Sequence, residues 1–203
     1  MSKKVLVACE FSGVVRDAFR DAGFDAISCD LRETERNSEH HIKGDVLELI
    51  EERGDEFDLM IAHPPCTYLS NSGVRWLYEQ DERWKDMIDG AVFFRKLLNA
   101  YIPYIAVENP IMHKYGKKII GSEPDQVVQP YQFGEPETKA TCLWLRNLPE
   151  LESTEVVEER EARVHNMAPS EDRAKERSRF FEGIAEAMAQ QWGQIIREDG
   201  SDE

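Results

Sequence analysis

Short apolar runs alternate with amphipathic segments along the first half of the chain. An apolar run bounded by polar turns predicts a buried strand, and apolar positions three or four residues apart predict a helix. We therefore predict strands at residues 4–8, 24–29, 57–62 and 105–107, and helices at residues 14–22, 46–53 and 81–99. Strands that alternate with helices favour an α/β fold with a mostly parallel, doubly wound sheet.

The second half of the chain is less regular. Short strands are predicted at residues 127–128, 131–133 and 141–145, and a closing helix at residues 180–196. Residues 32–44 and the acidic stretch at residues 150–162 are predicted to be polar surface loops.

The length of the chain favours a single domain, because 203 residues with 41% hydrophobic content can bury one sizeable core. We assign this domain to residues 1–197 and an acidic tail to residues 198–203. Within the domain we expect a cofactor and nucleophile half at residues 1–110, a reduced substrate-facing region at residues 111–180 and the closing helix at residues 181–197.

The formal net charge of −15 counts against a broad basic surface for nucleic acid. Basic residues nevertheless cluster at residues 113–118 and 173–179, so a local DNA-facing surface stays open. The first residues resemble neither a signal peptide nor a membrane span, which predicts a cytoplasmic protein.

The four cysteines are scattered, without a CxxC pair or a nearby histidine spacing. This pattern indicates neither a zinc site nor a disulfide framework, so each is predicted to be a thiol.

Polar residues follow the ends of the predicted strands. They are Glu10 to Gly13, Asp30, Asp45, the pair Pro65 and Cys66, and Glu108. Ligands of doubly wound sheets bind beyond the carboxyl ends of the strands, so these residues predict a site at that edge.

The first two strand ends suggest a nucleoside. Asp30 follows the first turn by about 20 residues, where an acidic side chain binds ribose hydroxyls in nucleoside-binding α/β domains. The turn lacks GxGxxG, which favours an adenosine over a pyrophosphate, and S-adenosylmethionine fits that description. Asp45 could accept from the adenine amino group or simply cap a helix. Gly13 could bind the cofactor or could be required only for the backbone conformation of the turn.

The third strand ends on Pro64, Pro65 and Cys66. Two prolines stop a strand ladder and hold the next residue in a stiff turn, so Cys66 is either a presented nucleophile or an incidental thiol behind a strand terminator. A thiolate is a strong nucleophile near neutral pH. Glu108 follows a neighbouring strand, and a carboxyl made neutral by burial can donate to a ring nitrogen. Together these groups could activate a pyrimidine carbon.

The motifs 64-PPC-66 and 107-VEN-109, after an 11-FSG-13 turn, resemble those of the cytosine-C5 DNA methyltransferases. The whole chain is more closely similar to the small phage and prophage proteins described as DNA cytosine methyltransferases, which share HPPCTYLSNSG, AVENPIMHKYG and ETKATCLWL. The resemblance implies a Rossmann-like S-adenosylmethionine-dependent methyltransferase fold without a large target-recognition domain. It also implies S-adenosyl-L-methionine as cofactor, DNA as partner with its cytosine flipped out, and a bacterial host or phage-infected cell as location.

The resemblance also implies roles for individual residues. Cys66 would attack carbon 6 of cytosine, and Glu108 would bind N3 and the 4-amino edge. The residues expected to bind the cofactor are Glu10, Phe11, Ser12, Gly13, Asp30, Leu31, Asp45 and Pro64. The residues expected to bind the substrate are Pro65, Ser70, Asn71, Asn109, Lys139, Arg177 and Arg179, with Arg163 as a further candidate.

The sequence departs from the family at two neighbours of the nucleophile. His63 stands where the family usually has glycine, and Thr67 where glutamine is common. The arginine-rich strand of the family is not evident, and 137-ETKATCLWL-145 offers Lys139 in its place.

Three alternatives stay open. They are a DNA amino-methyltransferase, modification of a free pyrimidine nucleotide such as dCMP, and a catalytically silent module that binds nucleic acid or protein. A protein partner or a homo-oligomer is compatible with each of them.

Overall fold

The computed structural model describes residues 2–80, 82–163 and 179–199. Within these residues seven strands form one sheet: β1 Lys4–Ala8, β2 Asp25–Asp30, β3 His41–Lys43, β4 Leu59–Ala62, β5 Tyr104–Pro110, β6 Gln126–Val128 and β7 Thr141–Arg146. The same residues contain five α-helices: α1 Val14–Asp21, α2 Val46–Arg53, α3 Glu82–Leu98, α4 Lys114–Ile120 and α5 Glu182–Glu198.

The sheet has the strand order β3-β2-β1-β4-β5-β7-β6. The first five strands of the chain run parallel, and β7 lies antiparallel between β5 and β6. A mostly parallel, doubly wound sheet of this kind is Rossmann-like, so the predicted α/β fold class is confirmed. The chain order reverses between β1 and β4, and ligands of open α/β sheets bind at such a switch point.

Alternate residues of β1 supply the two faces of the core, because successive side chains of a strand point to opposite sides of the sheet. Val5 and Val7 pack in the cluster that includes α1 and α5. Leu6 and Ala8 pack in the cluster that includes α2, α3 and α4. All four side chains are fully buried, which places β1 at the centre of the molecule.

Gly183 lies in the first turn of α5 against the backbone of residue 133. A Cβ atom at this position would lie 1.9 Å from the carbonyl oxygen of Phe133. Only glycine therefore allows α5 to lie this close to the backbone of Phe133. We expect Gly183→Ala to lower the free energy of unfolding by about 3 kcal/mol, because backbone must shift to relieve the overlap. Urea unfolding followed by circular dichroism measures the change.

Gly90 is the matched control, since it is also a helical glycine. Its Cβ would meet Leu69 at an ordinary 3.8 Å, so Gly90→Ala should raise the free energy of unfolding by up to about 1 kcal/mol through helix propensity. Equal stability of Gly183→Ala and the unsubstituted chain would contradict the packing described for α5.

Most predicted elements are confirmed, two expectations are wrong, and one helix was not predicted. The strand predicted at residues 131–133 is absent: Pro130–Gln132 form a 3-10 turn, and Phe133 makes only an isolated bridge with Glu155. The loop at residues 32–44 contains the edge strand β3, and α4 was not predicted. In the described part of the chain, no helix has both the length and the apolar character needed to cross a membrane.

Candidate active site

The parallel strands place their carboxyl ends at one edge of the sheet. Glu10, Asp30, His63 and Glu108 lie at or just beyond the ends of β1, β2, β4 and β5. Nδ1 of His63 lies 3.2 Å from Oε2 of Glu108, so the segment after β4 contacts the end of β5. The structure therefore brings the Pro-Pro-Cys and Glu-Asn motifs to the same edge of the sheet.

Residues 63–70, which we call the nucleophile loop, are tied to the segment that follows β5. The side-chain amide of Asn109 donates to the carbonyl oxygen of Pro64 at 2.9 Å. Nε2 of His113 bonds the carbonyl oxygen of Tyr68 at 3.0 Å, and Nδ1 of the same ring accepts from the backbone of Gly116. Because Nδ1 accepts, Nε2 carries the hydrogen and donates. The loop is thus held by side chains as well as by its prolines.

Cys66 opens a tight turn within the nucleophile loop. Its carbonyl oxygen accepts from the backbone amides of Leu69 at 3.1 Å and Ser70 at 2.9 Å. Cys66 is half-buried between two exposed neighbours, Pro65 and Thr67. The turn therefore holds a partly exposed thiol on backbone of restricted freedom.

The other three thiols are poor candidates for a nucleophile. Burial raises the pKa of Cys9, and the nearby Asp30 carboxylate raises it further. Burial also raises the pKa of Cys29 and of Cys142 to about 11. These thiols stay protonated at neutral pH, and the thiolate is the reactive form.

Glu108 is oriented by His63, a residue whose role the sequence left open between a structural hydrogen bond and catalysis. The Glu108 side chain is only 13% exposed, and one of its oxygens accepts from Nδ1 of His63. The imidazole ring in turn packs on Phe180, with ring centroids 4.8 Å apart. His63 thus links Glu108 to the segment that leads into α5. The only signal in the sequence was its place before the two prolines.

Two residues of the first turn have a structural use of their own. The buried carboxylate of Glu10 accepts from the backbone amides of Val15 at 2.7 Å and Arg16 at 3.2 Å, which caps α1. Burial raises the pKa of Glu10, and the charges of His63 and Arg16 oppose this rise. Gly13 has φ 74°, and a Cβ there would lie 2.6 Å from the Arg16 guanidinium. This turn is well ordered by its own contacts.

Two predicted carboxylates lie near one another on the other side of β1. Asp30 accepts from the backbone of Arg32 at 2.9 Å, and Asp45 caps α2 by accepting from Leu47 at 2.8 Å. Both act electrostatically on the Cys9 thiol. Leu31, beside them, is 73% exposed. Acceptor-only carboxylates next to an exposed apolar side chain fit the hydroxyl and amino donors of an adenosine.

Phe11, Ser12 and Pro64 complete the predicted cofactor residues. All three are buried, and the Arg32 guanidinium lies 5.2 Å from the centre of the Phe11 ring. Ser12 donates toward Glu10. Their predicted contacts with a cofactor stay predictions.

The predicted substrate residues fall into two groups. Pro65, Ser70 and Asn71 lie in or beside the nucleophile loop, and Asn109 is buried beneath it.

The second group lies at the segment that precedes α5. Nζ of Lys139 donates to the carbonyl oxygen of Arg179 at 3.4 Å, and Arg179 pairs with Glu35 at 3.1 Å. Arg163 pairs with Glu137 at 3.5 Å. Arg177 lies outside the described residues.

No protein-family model matches the sequence, and no curated protein matches it. Solved structures similar to this chain include the Dnmt2 methyltransferase of S. pombe, at 14% identity and a TM-score of 0.44, with 71% of this chain and 49% of that chain covered. A mutant DNMT2 of Spodoptera frugiperda is similar at 17% identity and a TM-score of 0.40, with 77% of this chain and 54% of that chain covered. The chain thus spans about half the length of the solved structures it matches.

Proposed function

We propose that this chain transfers a methyl group from S-adenosylmethionine to carbon 5 of cytosine in DNA, through a covalent bond between Cys66 and carbon 6. One observation carries the proposal. A half-buried thiol lies on a turn that hydrogen bonds fasten to the strand end bearing Glu108. A nucleophile and an acid that the fold holds in fixed relative positions can react with two atoms of the same ring.

Cys66 starts the reaction as a thiolate that adds to carbon 6. The electrons of the 5,6 double bond move toward carbon 4, and N3 takes a proton from Glu108, so carbon 5 becomes an enamine carbon. After carbon 5 has gained the methyl group, a base removes its proton. The electrons of that C–H bond re-form the 5,6 double bond and expel the Cys66 thiolate, and N3 returns its proton to the Glu108 carboxylate.

His63 positions Glu108 for this proton transfer. Nδ1 of His63 donates a hydrogen bond to Oε2 of Glu108. The other oxygen, Oε1, is then the one that carries the proton that passes to N3. The His63 ring is itself packed on Phe180, so the carboxyl group of Glu108 keeps one orientation at this edge of the sheet. Fixed donors of this kind stabilise charge that develops in the transition state.

The cofactor would supply the methyl group as an electrophile and leave as a neutral thioether. Asp30 would accept from the ribose hydroxyls and Asp45 from the adenine amino group, with Leu31 and Phe11 as the apolar neighbours. Glu10 and Gly13 would shape the turn beneath the methionine. A cytosine inside a duplex must leave the stack to reach Cys66.

Product analysis tests the proposal. The chain is incubated with labelled S-adenosylmethionine and either cytosine-containing DNA or dCMP, and the nucleosides are then separated. We expect label in 5-methylcytosine from DNA. N4-methylcytosine or N6-methyladenine would contradict the proposal, and label in dCMP alone would assign the activity to free nucleotides. Failure to bind the cofactor in calorimetry would favour a silent binding module.

A further inference from the structure

An aromatic and basic surface adjoins the nucleophile loop. We call Tyr68, Tyr78, Arg83, Trp84, Lys114 and Tyr115 the aromatic–basic surface. It begins at the loop itself, where Arg83 donates to the carbonyl oxygen of Thr67 at 3.4 Å and lies over the Tyr68 ring at 5.0 Å. The surface therefore starts one residue from Cys66.

The remaining rings form a continuous cluster away from the loop. Trp84 meets Tyr115 edge to face at 5.3 Å between ring centroids, and Tyr78 lies 6.1 Å from Trp84 and 6.4 Å from Tyr115. The hydroxyl groups of Tyr78 and Tyr115 bond each other. Lys114 places its ammonium group 5.0 Å from the centre of the Tyr115 ring. These contacts hold the rings in fixed orientations.

Tyr78 is 68% exposed although it belongs to this ordered cluster. Contiguous exposed apolar area is typical of an interaction surface. Tyr101 is also exposed, at 90%, but it lies near the start of β5, at the opposite edge of the sheet. Tyr78 therefore differs from Tyr101, because its exposed ring belongs to a cluster of aromatic and basic side chains beside the nucleophile loop.

The charge of the surface differs from that of the chain. The formal net charge is −15, yet Arg83 and Lys114 flank the rings, and Lys118 continues the basic face of α4. Two acidic residues, Glu79 just before α3 and Glu82 at its first position, border this region, so the basic part of the surface is narrow. Two or three cations beside a cluster of rings complement a single phosphate chain better than the broad face of a duplex.

We infer that the aromatic–basic surface binds an unpaired DNA strand, with a base stacked on Tyr78 and phosphates near Arg83 and Lys114. The inference rests on the proposed function, since the strand would carry the target cytosine to Cys66, and it deepens that function by naming single-stranded DNA as the substrate form. Between β5 and β7 the described residues form only α4, β6 and connecting turns. We therefore expect the surface next to the loop to contribute to the affinity. Aromatic faces hold bases without reading their sequence.

Fluorescence anisotropy with the full chain and no cofactor tests the inference. The probe is a labelled DNA strand of about 12 nucleotides with one cytosine, compared with its duplex and with RNA of the same sequence. We expect the single DNA strand to bind more tightly than either, and Tyr78→Ala to weaken that binding about tenfold.

Three further variants separate binding from folding. Tyr78→Phe keeps the ring and loses only its hydroxyl bond to Tyr115, so it should bind more tightly than Tyr78→Ala, and Tyr101→Ala should leave binding unchanged. Lys114→Ala leaves the rings in place and should reduce the slope of log affinity against log salt by about 0.7. Urea midpoints measured on every variant identify any loss of fold, and Lys114→Ala tests the surface even where Tyr78→Ala is unstable.

Duplex binding as tight as single-strand binding would overturn the inference, and so would equal affinities of Tyr78→Ala and Tyr101→Ala. Tighter binding of the RNA would overturn its assignment to DNA. Methyl transfer to a single strand with an unchanged KM in Tyr78→Ala would refute the surface and leave the proposed function standing. Strand binding that depends on Tyr78, in a chain that transfers no methyl group, would support the surface and refute the proposed function.

Discussion

Cys66→Ser should lower kcat/KM for methyl transfer by a factor of about 10³ or more. A serine hydroxyl is not ionised near neutral pH, and no bond to carbon 6 forms without a thiolate. The substitution removes little packing, because Cys66 is only half-buried and its turn is closed by backbone hydrogen bonds. Transfer of labelled methyl groups to DNA measures the loss, and urea unfolding checks that stability is kept.

Cys29→Ser is the matched control for this loss. The Cys29 thiol donates to the carbonyl oxygen of Gly44 at 3.6 Å, a bond that a serine hydroxyl can replace. We expect this variant to retain methyl transfer within about threefold, because the thiol it loses is protonated and buried. Retained activity in Cys66→Ser, or an equal loss in both variants, would contradict the assignment of Cys66.

Glu108→Gln should lower kcat about 10²-fold to 10³-fold with a smaller effect on KM. Glutamine can still accept from Nδ1 of His63 through its amide oxygen, so the contact at the strand end survives. It cannot, however, give a proton to N3, which is the step that the carboxyl group serves. Steady-state kinetics with a single-stranded DNA substrate separates the two constants.

Glu39→Gln is the control for the second prediction. Glu39 also lies beside a histidine, with Oε2 4.0 Å from Nε2 of His40, but it is 75% exposed and lies in the loop before β3. Its loss should leave kcat and KM unchanged. A full kcat in Glu108→Gln with a raised KM would show that Glu108 binds the base without giving it a proton.

The sheet could be predicted from the sequence because its strands are short apolar runs between polar turns. Residues 5–8 and 59–62 are fully buried, and buried strands carry the strongest pattern. The strand β3 could not be predicted, since its three residues are polar or half-buried. The helix α4 was hidden in the same way, because it has seven residues and its N-cap is His113, an uncommon capping residue.

The candidate site could be predicted as far as its motifs, because strand ends of a parallel sheet share an edge. The contacts that fasten the nucleophile loop could not, since Asn109 and Pro64 are 45 positions apart in the chain. The local sequence also could not distinguish a structural role of a carboxylate from a ligand-binding role. Glu10 caps α1 and Asp45 caps α2, and a capping carboxylate looks the same in sequence as one that binds a ligand.

The covalent bond between Cys66 and carbon 6 is the centre of the proposed reaction, and DNA that contains 5-fluorocytosine tests it directly. Fluorine at carbon 5 cannot leave as a proton does, so the bond to the enzyme persists after methyl transfer. With S-adenosylmethionine present, mass spectrometry of the digested complex should find the methylated fluorocytosine attached to Cys66. An adduct on another residue, or no adduct in a preparation that methylates ordinary DNA, would contradict the proposed mechanism.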